Sequence, residues 1–209
     1  MVSTRADLRD TPTVFVVDDD DAVRSSLKEL AESQGLRAET FADAEEFLAR
    51  FDPSRPGCLI LDVRLGEVSG LELQEKLIER GSSLPVIMIS AFGTIPSTVR
   101  AMRGGAIDFL QKPFSPRLLV DRMQEAIELD RSNRLKEIRR AKVEAQLSEL
   151  TPRENDVLAH IKLGRTSREI ADLPDLSPRT VEGNRQVILR KLGVGSATQL
   201  VRLLLSIEK

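Results

Sequence analysis

The chain has 209 residues, 41% of them hydrophobic and 31% charged, and a formal net charge of -2 at pH 7. That length suits one ordinary domain plus a smaller one. With no apolar run of roughly 18 residues and a charged opening at residues 1–13, neither a spanning helix nor a secretory signal is expected. The small total hides an asymmetry. Up to Asp130 there are 15 basic against 23 acidic side chains, and beyond it 16 against 10, so an acidic part of charge -8 precedes a basic part of charge +6. A basic module suits a polyanion such as nucleic acid. The single cysteine, Cys58, lies beside Leu59-Ile60-Leu61, which fits a core position and a reducing cytoplasm.

In chain order, Val14-Phe15-Val16-Val17, Cys58-Leu59-Ile60-Leu61 and Val86-Ile87-Met88-Ile89 are continuous apolar runs. Runs without alternation predict strands buried on both faces, as in a parallel sheet. Val23, Leu27, Leu30 and Ala31 recur at helical spacing before Gly35, and Leu71, Leu73, Leu77 and Ile78 do so before Gly81. Shorter strands at 37–41 and at Asp108-Phe109-Leu110 complete five βα units. Residues 1–130 therefore read as an α/β flavodoxin-like doubly wound domain.

From Pro116 the pattern is helical, with Leu118, Leu119, Met123, Ala126, Ile127 and Leu129 marking an apolar face. Residues 131–146 are highly charged and contain neither Gly nor Pro, which predicts a helical linker, either solvated or self-associating. Residues 147–209 read as a small all-α domain. Thr151-Pro152-Arg153-Glu154 and Thr166-Ser167-Arg168-Glu169 have the form of capping boxes, Ser177-Pro178 opens a third helix expected to reach Gly193, and Ser196 opens a fourth. The segments 167–173 and 177–192 have helix-turn-helix proportions.

Ligands of open α/β sheets gather outside the carboxyl ends of the strands. There, Asp18, Asp19, Asp20 and Asp21 follow the first strand, Asp62 ends the third, Ser90 ends the fourth and Lys112 follows the fifth. Clustered carboxylates repel one another and attract a cation, and Mg²⁺ accepts such oxygens. Lys112 would then pair with the anion that the cation holds. Asp20 and Asp21 read equally well as helix N-caps.

Taken in order, Asp18-Asp19, Leu61-Asp62-Val63-Arg64, Ser90-Ala91 and Lys112-Pro113-Phe114 resemble the response-regulator receiver family over about the first 130 residues. The resemblance implies that Asp62 accepts a phosphoryl group from a histidine kinase. It implies that Asp19, Asp62 and the Arg64 carbonyl bind Mg²⁺, with Asp18 acting through water, and that Ser90 and Lys112 contact the phosphoryl oxygens. Ser90 and Phe109 fall at the family's switch positions, although Phe109 also suits simple core packing. Lys112-Pro113 resembles the family's cis peptide. Gly66 stands near where the family usually has proline.

In the second half, Leu150-Thr151-Pro152-Arg153-Glu154, Arg168-Glu169-Ile170-Ala171, Ser177-Pro178-Arg179-Thr180-Val181-Glu182 and Arg190-Lys191-Leu192-Gly193-Val194 resemble the LuxR-type helix-turn-helix. The whole chain thus resembles the FixJ and NarL class of regulators. The implied recognition helix packs through Val181, Ile188 and Leu192. It presents Arg179, Thr180, Glu182, Gly183, Arg185, Gln186, Arg190 and Lys191 to double-stranded DNA. Glu182, Gly183 and Gln186 fall at base-reading positions, with Glu182 open between cytosine recognition and solvent. Arg185, Arg190 and Lys191 suit phosphates. Pro174 and Asn184 depart from the family pattern.

The expected function is a DNA-binding response regulator, with no enzymatic activity beyond its own phosphorylation and dephosphorylation. Expected partners are a sensor histidine kinase, DNA, a second copy when phosphorylated, and RNA polymerase, with no membrane. Arg100 and Arg103, on the helix expected near 95–103, are expected to pair across the dimer. Two alternatives compete. A haloacid-dehalogenase-like phosphatase would use the Asp18-Asp19-Asp20 run as an Asp-x-Asp motif, but nothing supplies a cap domain. A receiver acting through protein contacts would leave the basic tail unable to bind DNA.

Overall fold

The computed structural model describes residues 11–66, 68–171 and 177–207. The chain divides into two compact units, Met1–Asn133 and Arg134–Lys209. The first holds strands β1 (Thr13–Val17), β2 (Arg37–Phe41), β3 (Gly57–Asp62), β6 (Val86–Ser90) and β7 (Asp108–Gln111), which form one sheet in the order β2-β1-β3-β6-β7. All four pairings are parallel. The helices alternate with the strands: α1 (Asp21–Ser33), α2 (Ala44–Arg50), α3 (Gly70–Glu79), α4 (Ile95–Arg103) and α5 (Pro116–Ser148).

Period-two alternation of side chains sends each strand's residues to opposite faces, so two cores form. Phe15, Val17, Leu59, Leu61, Val86 and Met88 pack on one face with Phe47, Leu73, Leu77 and Ala101 from α2, α3 and α4. Val14, Val16, Cys58, Ile60, Ile87 and Ile89 pack on the other with Leu27, Ala31, Leu119, Met123 and Ala126 from α1 and α5. Burial and the nearby Asp130 carboxylate push the Cys58 thiol up to about 12, so it is an inert core group.

Two close approaches hold the sheet's centre. At Gly57, where φ is +153°, an added Cβ would lie 1.8 Å from the Thr13 carbonyl oxygen. Its N–H donates to the buried Asp130 carboxylate of α5 at 2.9 Å, which fastens that helix to the start of β3.

Some expectations needed correction. Between β3 and α3 lies a two-stranded antiparallel sheet of β4 (Arg64–Leu65) and β5 (Val68–Ser69), too short for a periodic signal. Ile78, Leu118 and Leu129 are exposed, because a turn of 3.6 residues carries them off the buried stripe. The long helix expected from Pro116 onward is present: α5 runs without interruption to Ser148.

The second unit holds α6 (Pro152–Lys162), α7 (Ser167–Ala171), α8 (Pro178–Lys191) and α9 (Ala197–Leu205) around Val157, Leu158, Ile161, Ile170, Val181, Ile188, Leu192, Leu200 and Leu204. Thr151 and Glu154 make a reciprocal capping box at α6, while Ser177 and Ser196 cap α8 and α9. α8 ends at Lys191, two residues before Gly193, whose φ of +65° takes the chain out of the helix. Pro174 lies outside the described residues. No described helix is long and apolar enough to cross a membrane.

Candidate functional site

Because β1, β3, β6 and β7 are parallel neighbours, their carboxyl ends open on one edge, and four expected site residues meet there. Asp18 directly follows β1, Asp62 and Ser90 are the last residues of β3 and β6, and Lys112 directly follows β7. Asp18, Asp62 and Ser90 are buried. The Lys112 ammonium donates to Asp18 Oδ2 at 2.6 Å and also to Asp62 Oδ2, bridging the two carboxylates. Each carboxylate's other oxygen is oriented by the main chain. Asp18 Oδ1 accepts from Asp20 N and Asp62 Oδ1 from Arg64 N, both at 2.9 Å. Lys112 N donates to the Ser90 carbonyl at 2.8 Å, and the cis Lys112-Pro113 bond follows.

The electrostatics follow from burial. Loss of water raises the Asp18 carboxyl above its usual value, against the lowering effect of Lys112 and the Asp20 N–H, and the Asp62 charge raises it further. Burial opposes the charge on Lys112, yet its bonds to Asp18 and Asp62 outweigh this and hold the ammonium above its usual value. Asp19 is exposed beside them. Three carboxylates against one ammonium leave the crease negative, which suits a hard dication such as Mg²⁺. In the arrangement seen, Lys112 lies between Asp18 and Asp62, and among the described residues no three carboxylate, imidazole or thiol side chains converge on one metal position.

Three contributors escaped the sequence reading. Arg24 donates to the Asp18 carbonyl at 2.7 Å and to Asp21 at 2.9 Å, holding the acidic loop; its place one turn after Asp21 was the available signal. Gly70 passes so close to β3 that a Cβ would lie 1.9 Å from the Asp62 carbonyl oxygen. The Arg64 guanidinium sits 4.5 Å from the centroid of the exposed Phe92 ring, a contact between residues remote in sequence. Phe109 is partly buried against the core that contains Met88, and its ring edge would lie 3.0 Å from a Cβ at Gly93. Arg100 is engaged within its own chain by Glu75.

In the second unit, α8 buries Val181 and Ile188 and exposes Arg179, Thr180, Glu182, Gly183, Gln186 and Arg190. The eight expected DNA-binding residues differ in availability. Lys191 donates to Glu154 at 2.7 Å and to the Glu149 carbonyl at 3.0 Å, which ties the end of α8 to the start of α6. Arg185 donates to the Arg165 carbonyl at 3.2 Å, and Glu182 accepts from the Ser167 hydroxyl at 2.9 Å. Thr180 bonds to the capping Ser177, while Asn184 donates back to the Thr180 carbonyl at 2.9 Å. The side chains of Arg179, Gln186 and Arg190 make no hydrogen bond among the described residues, and a side chain at Gly183 would meet open space. The free donors of α8 are thus two guanidiniums and an amide, suited to phosphate oxygens and base edges.

Comparison with known proteins yields two family matches: the response regulator receiver domain at residues 14–124, and the bacterial regulatory proteins of the luxR family at 148–204. The chain is 42% identical over 189 residues to the transcriptional regulatory protein TdiR of Thauera aromatica, covering 90% of this chain and 83% of that one. It is 38% identical over 192 residues to the transcriptional regulatory protein FixJ of Azorhizobium caulinodans, covering 92% and 91%. Among solved structures, the response regulator StyR is similar with a TM-score of 0.81 at 41% identity, over 93% of this chain and 98% of that one.

Proposed function

Since this chain belongs to the DNA-binding two-component response regulators that join a receiver domain to a LuxR-type domain, we propose that phosphoryl transfer from a histidine kinase to Asp62 controls its dimerisation and its occupancy of promoter DNA. The observation that carries the proposal is the Lys112 bridge from Asp62 to Asp18 at the mouth of the sheet. An Asp62 oxygen attacks the phosphorus of a phosphohistidine; the phosphorus–oxygen bond forms as the phosphorus–nitrogen bond breaks, and the imidazole leaves with a proton. Lys112 then follows the new negative oxygens, and the Ser90 hydroxyl donates to one of them. Transfer of this kind is dominated by positioning and charge neutralisation. Asp18, Asp19, Asp62 and the Arg64 carbonyl would hold Mg²⁺, which supplies further neutralisation of the phosphoryl charge. We place the protein in the cytoplasm, acting on transcription through RNA polymerase, with no enzymatic activity beyond its own phosphorylation and dephosphorylation.

The second unit reads DNA through α8. Arg179 and Arg190 would meet phosphates and Gln186 a base edge, whereas Lys191 and Arg185 hold the helix in place. The test is label incorporation from a small phosphodonor with Mg²⁺. Asp62→Asn should take up none, and undiminished incorporation would overturn the assignment. Asp19→Ala should lose Mg²⁺-dependent uptake while melting at the wild-type temperature.

A further inference from the structure

Helix α4 follows the loop that leaves β6 after Ser90, and its two ends are held differently. At the C-terminal end, the buried Gln74 of α3 donates through Nε2 to the carbonyls of Ala101 at 3.1 Å and Gly104 at 2.9 Å. Carbonyls in a helix's last turn have no partner in their own helix; the Ala101 carbonyl also accepts from Ala106 N at 3.1 Å, so the side-chain amide adds a second donor there and supplies one to the Gly104 carbonyl. Glu75, the next residue, accepts from Arg100 Nε at 2.9 Å and Nη2 at 2.8 Å, a bidentate fork one turn earlier. Gly104 lies so near the Gln74 amide that a Cβ would come within 2.9 Å of its carbon and oxygen.

At the N-terminal end no side chain of another element hydrogen-bonds α4 among the described residues, and the contacts just ahead of it are the Arg64 guanidinium over the Phe92 ring and the Phe109 ring against Gly93. Thr94 and Ser97 cap one another, while Phe92 is 64% and Ile95 82% exposed. A pocket of about 510 Å³ lined by Glu75, Pro96, Val99, Arg100, Arg103 and Gly104 opens along α4 beside the Glu75–Arg100 fork.

We propose that Gln74, assisted by Glu75, is the fixed point about which α4 turns when Ser90 moves toward a phosphoryl group on Asp62. Both are positioning residues for the switch and neither belongs to the phosphoryl site. Nine residues at 1.5 Å each make a lever about 13 Å long. A displacement of about 2 Å at its loop end therefore becomes a rotation of roughly 9° if the far end holds. That rotation re-presents Ile95, Val99 and Met102, which are all exposed. With the far end released, the same displacement slides the helix and the face keeps its register. The inference rests on the phosphorylation switch proposed above.

The test uses full-length Gln74→Met, which keeps the volume and removes both donors, and Glu75→Ala, an exposed position that leaves the core intact. Label on Asp62 and self-association by light scattering are measured in the same samples. Both variants should take up label within about twofold of wild type. The gain in self-association on phosphorylation should fall about tenfold in Gln74→Met and by a smaller factor in Glu75→Ala, within the usual range of coupling between sites. A wild-type gain in Gln74→Met at equal labelling would overturn the proposal. Should Gln74→Met melt early, an undiminished gain in Glu75→Ala overturns it instead. A wild-type protein that takes label without any gain would remove the switch itself, and the fixed point with it.

Discussion

A single ion pair shows how the second unit stores stability in charge. Lys191, read from sequence as a phosphate ligand, is turned inward onto Glu154, itself the buried third residue of a capping box. The hydrogen bond from Lys191, then that from the Thr151 N–H, holds the Glu154 carboxyl below its usual value. A carboxyl lowered on folding contributes stability that is present above its unfolded value and is lost as pH falls through the folded one. Glu154→Gln should therefore melt the second unit earlier at neutral pH. The gap from wild type should close as the pH drops below about 4, near the model-compound value. Thermal melts across that range check the outcome, and a gap of constant size would show that packing, not ionisation, is what the carboxylate supplies.

At the scale of elements, β3, which ends at Asp62, and the helix α3 are set by an approach only glycine permits. The Gly70 N–H donates to the Val63 carbonyl at 2.9 Å, and its missing side chain leaves room for the Asp62 carbonyl. Gly70→Ala should displace the start of α3 and with it Asp62, costing about 2 kcal/mol or more in stability. It should also slow phosphorylation by about tenfold, since small misplacements of a reacting group are expensive in rate. Wild-type labelling rates in this variant would show that β3 holds Asp62 without help from α3. The linker portion of α5 supports a narrower conclusion. Leu135 and Ile138 are exposed on one face, yet a parallel pair of helices joined along them would set Arg134 against Arg139 of the other copy. Like charges at those flanking positions oppose such a coil.

For the whole molecule, charge divides with the two units: the acidic part carries the crease of Asp18, Asp62 and Lys112, and the basic part carries α8. The unit Arg134–Lys209 has its own core. Expressed alone it should bind DNA, with the logarithm of affinity falling by about 0.9 per phosphate contact for each unit of log salt. Arg190→Ala should lower that slope by about 1 and weaken binding to all sequences alike. Titrations over a range of salt concentrations check both, and an unchanged slope would remove Arg190 from the phosphate contacts.

Most of the first unit was legible in the chain itself. Unalternating apolar runs at Val14, Cys58 and Val86 can only be satisfied by strands covered on both faces, and the polar residues that end them had nowhere to go but the open edge. Asp18, Asp62, Ser90 and Lys112 are accordingly brought together as expected. The four-residue pairing of β4 and β5 was not legible, because two-residue strands carry no period. Neither were the intramolecular bonds of Lys191, Arg185 and Glu182, since a sequence states which side chains share a helix face but not which carboxylate, carbonyl or hydroxyl another segment brings within hydrogen-bonding distance. Local spacing determined the elements and their order; which polar groups remain free for DNA, and that Gln74 grips the end of α4, was decided only by the packing of distant segments.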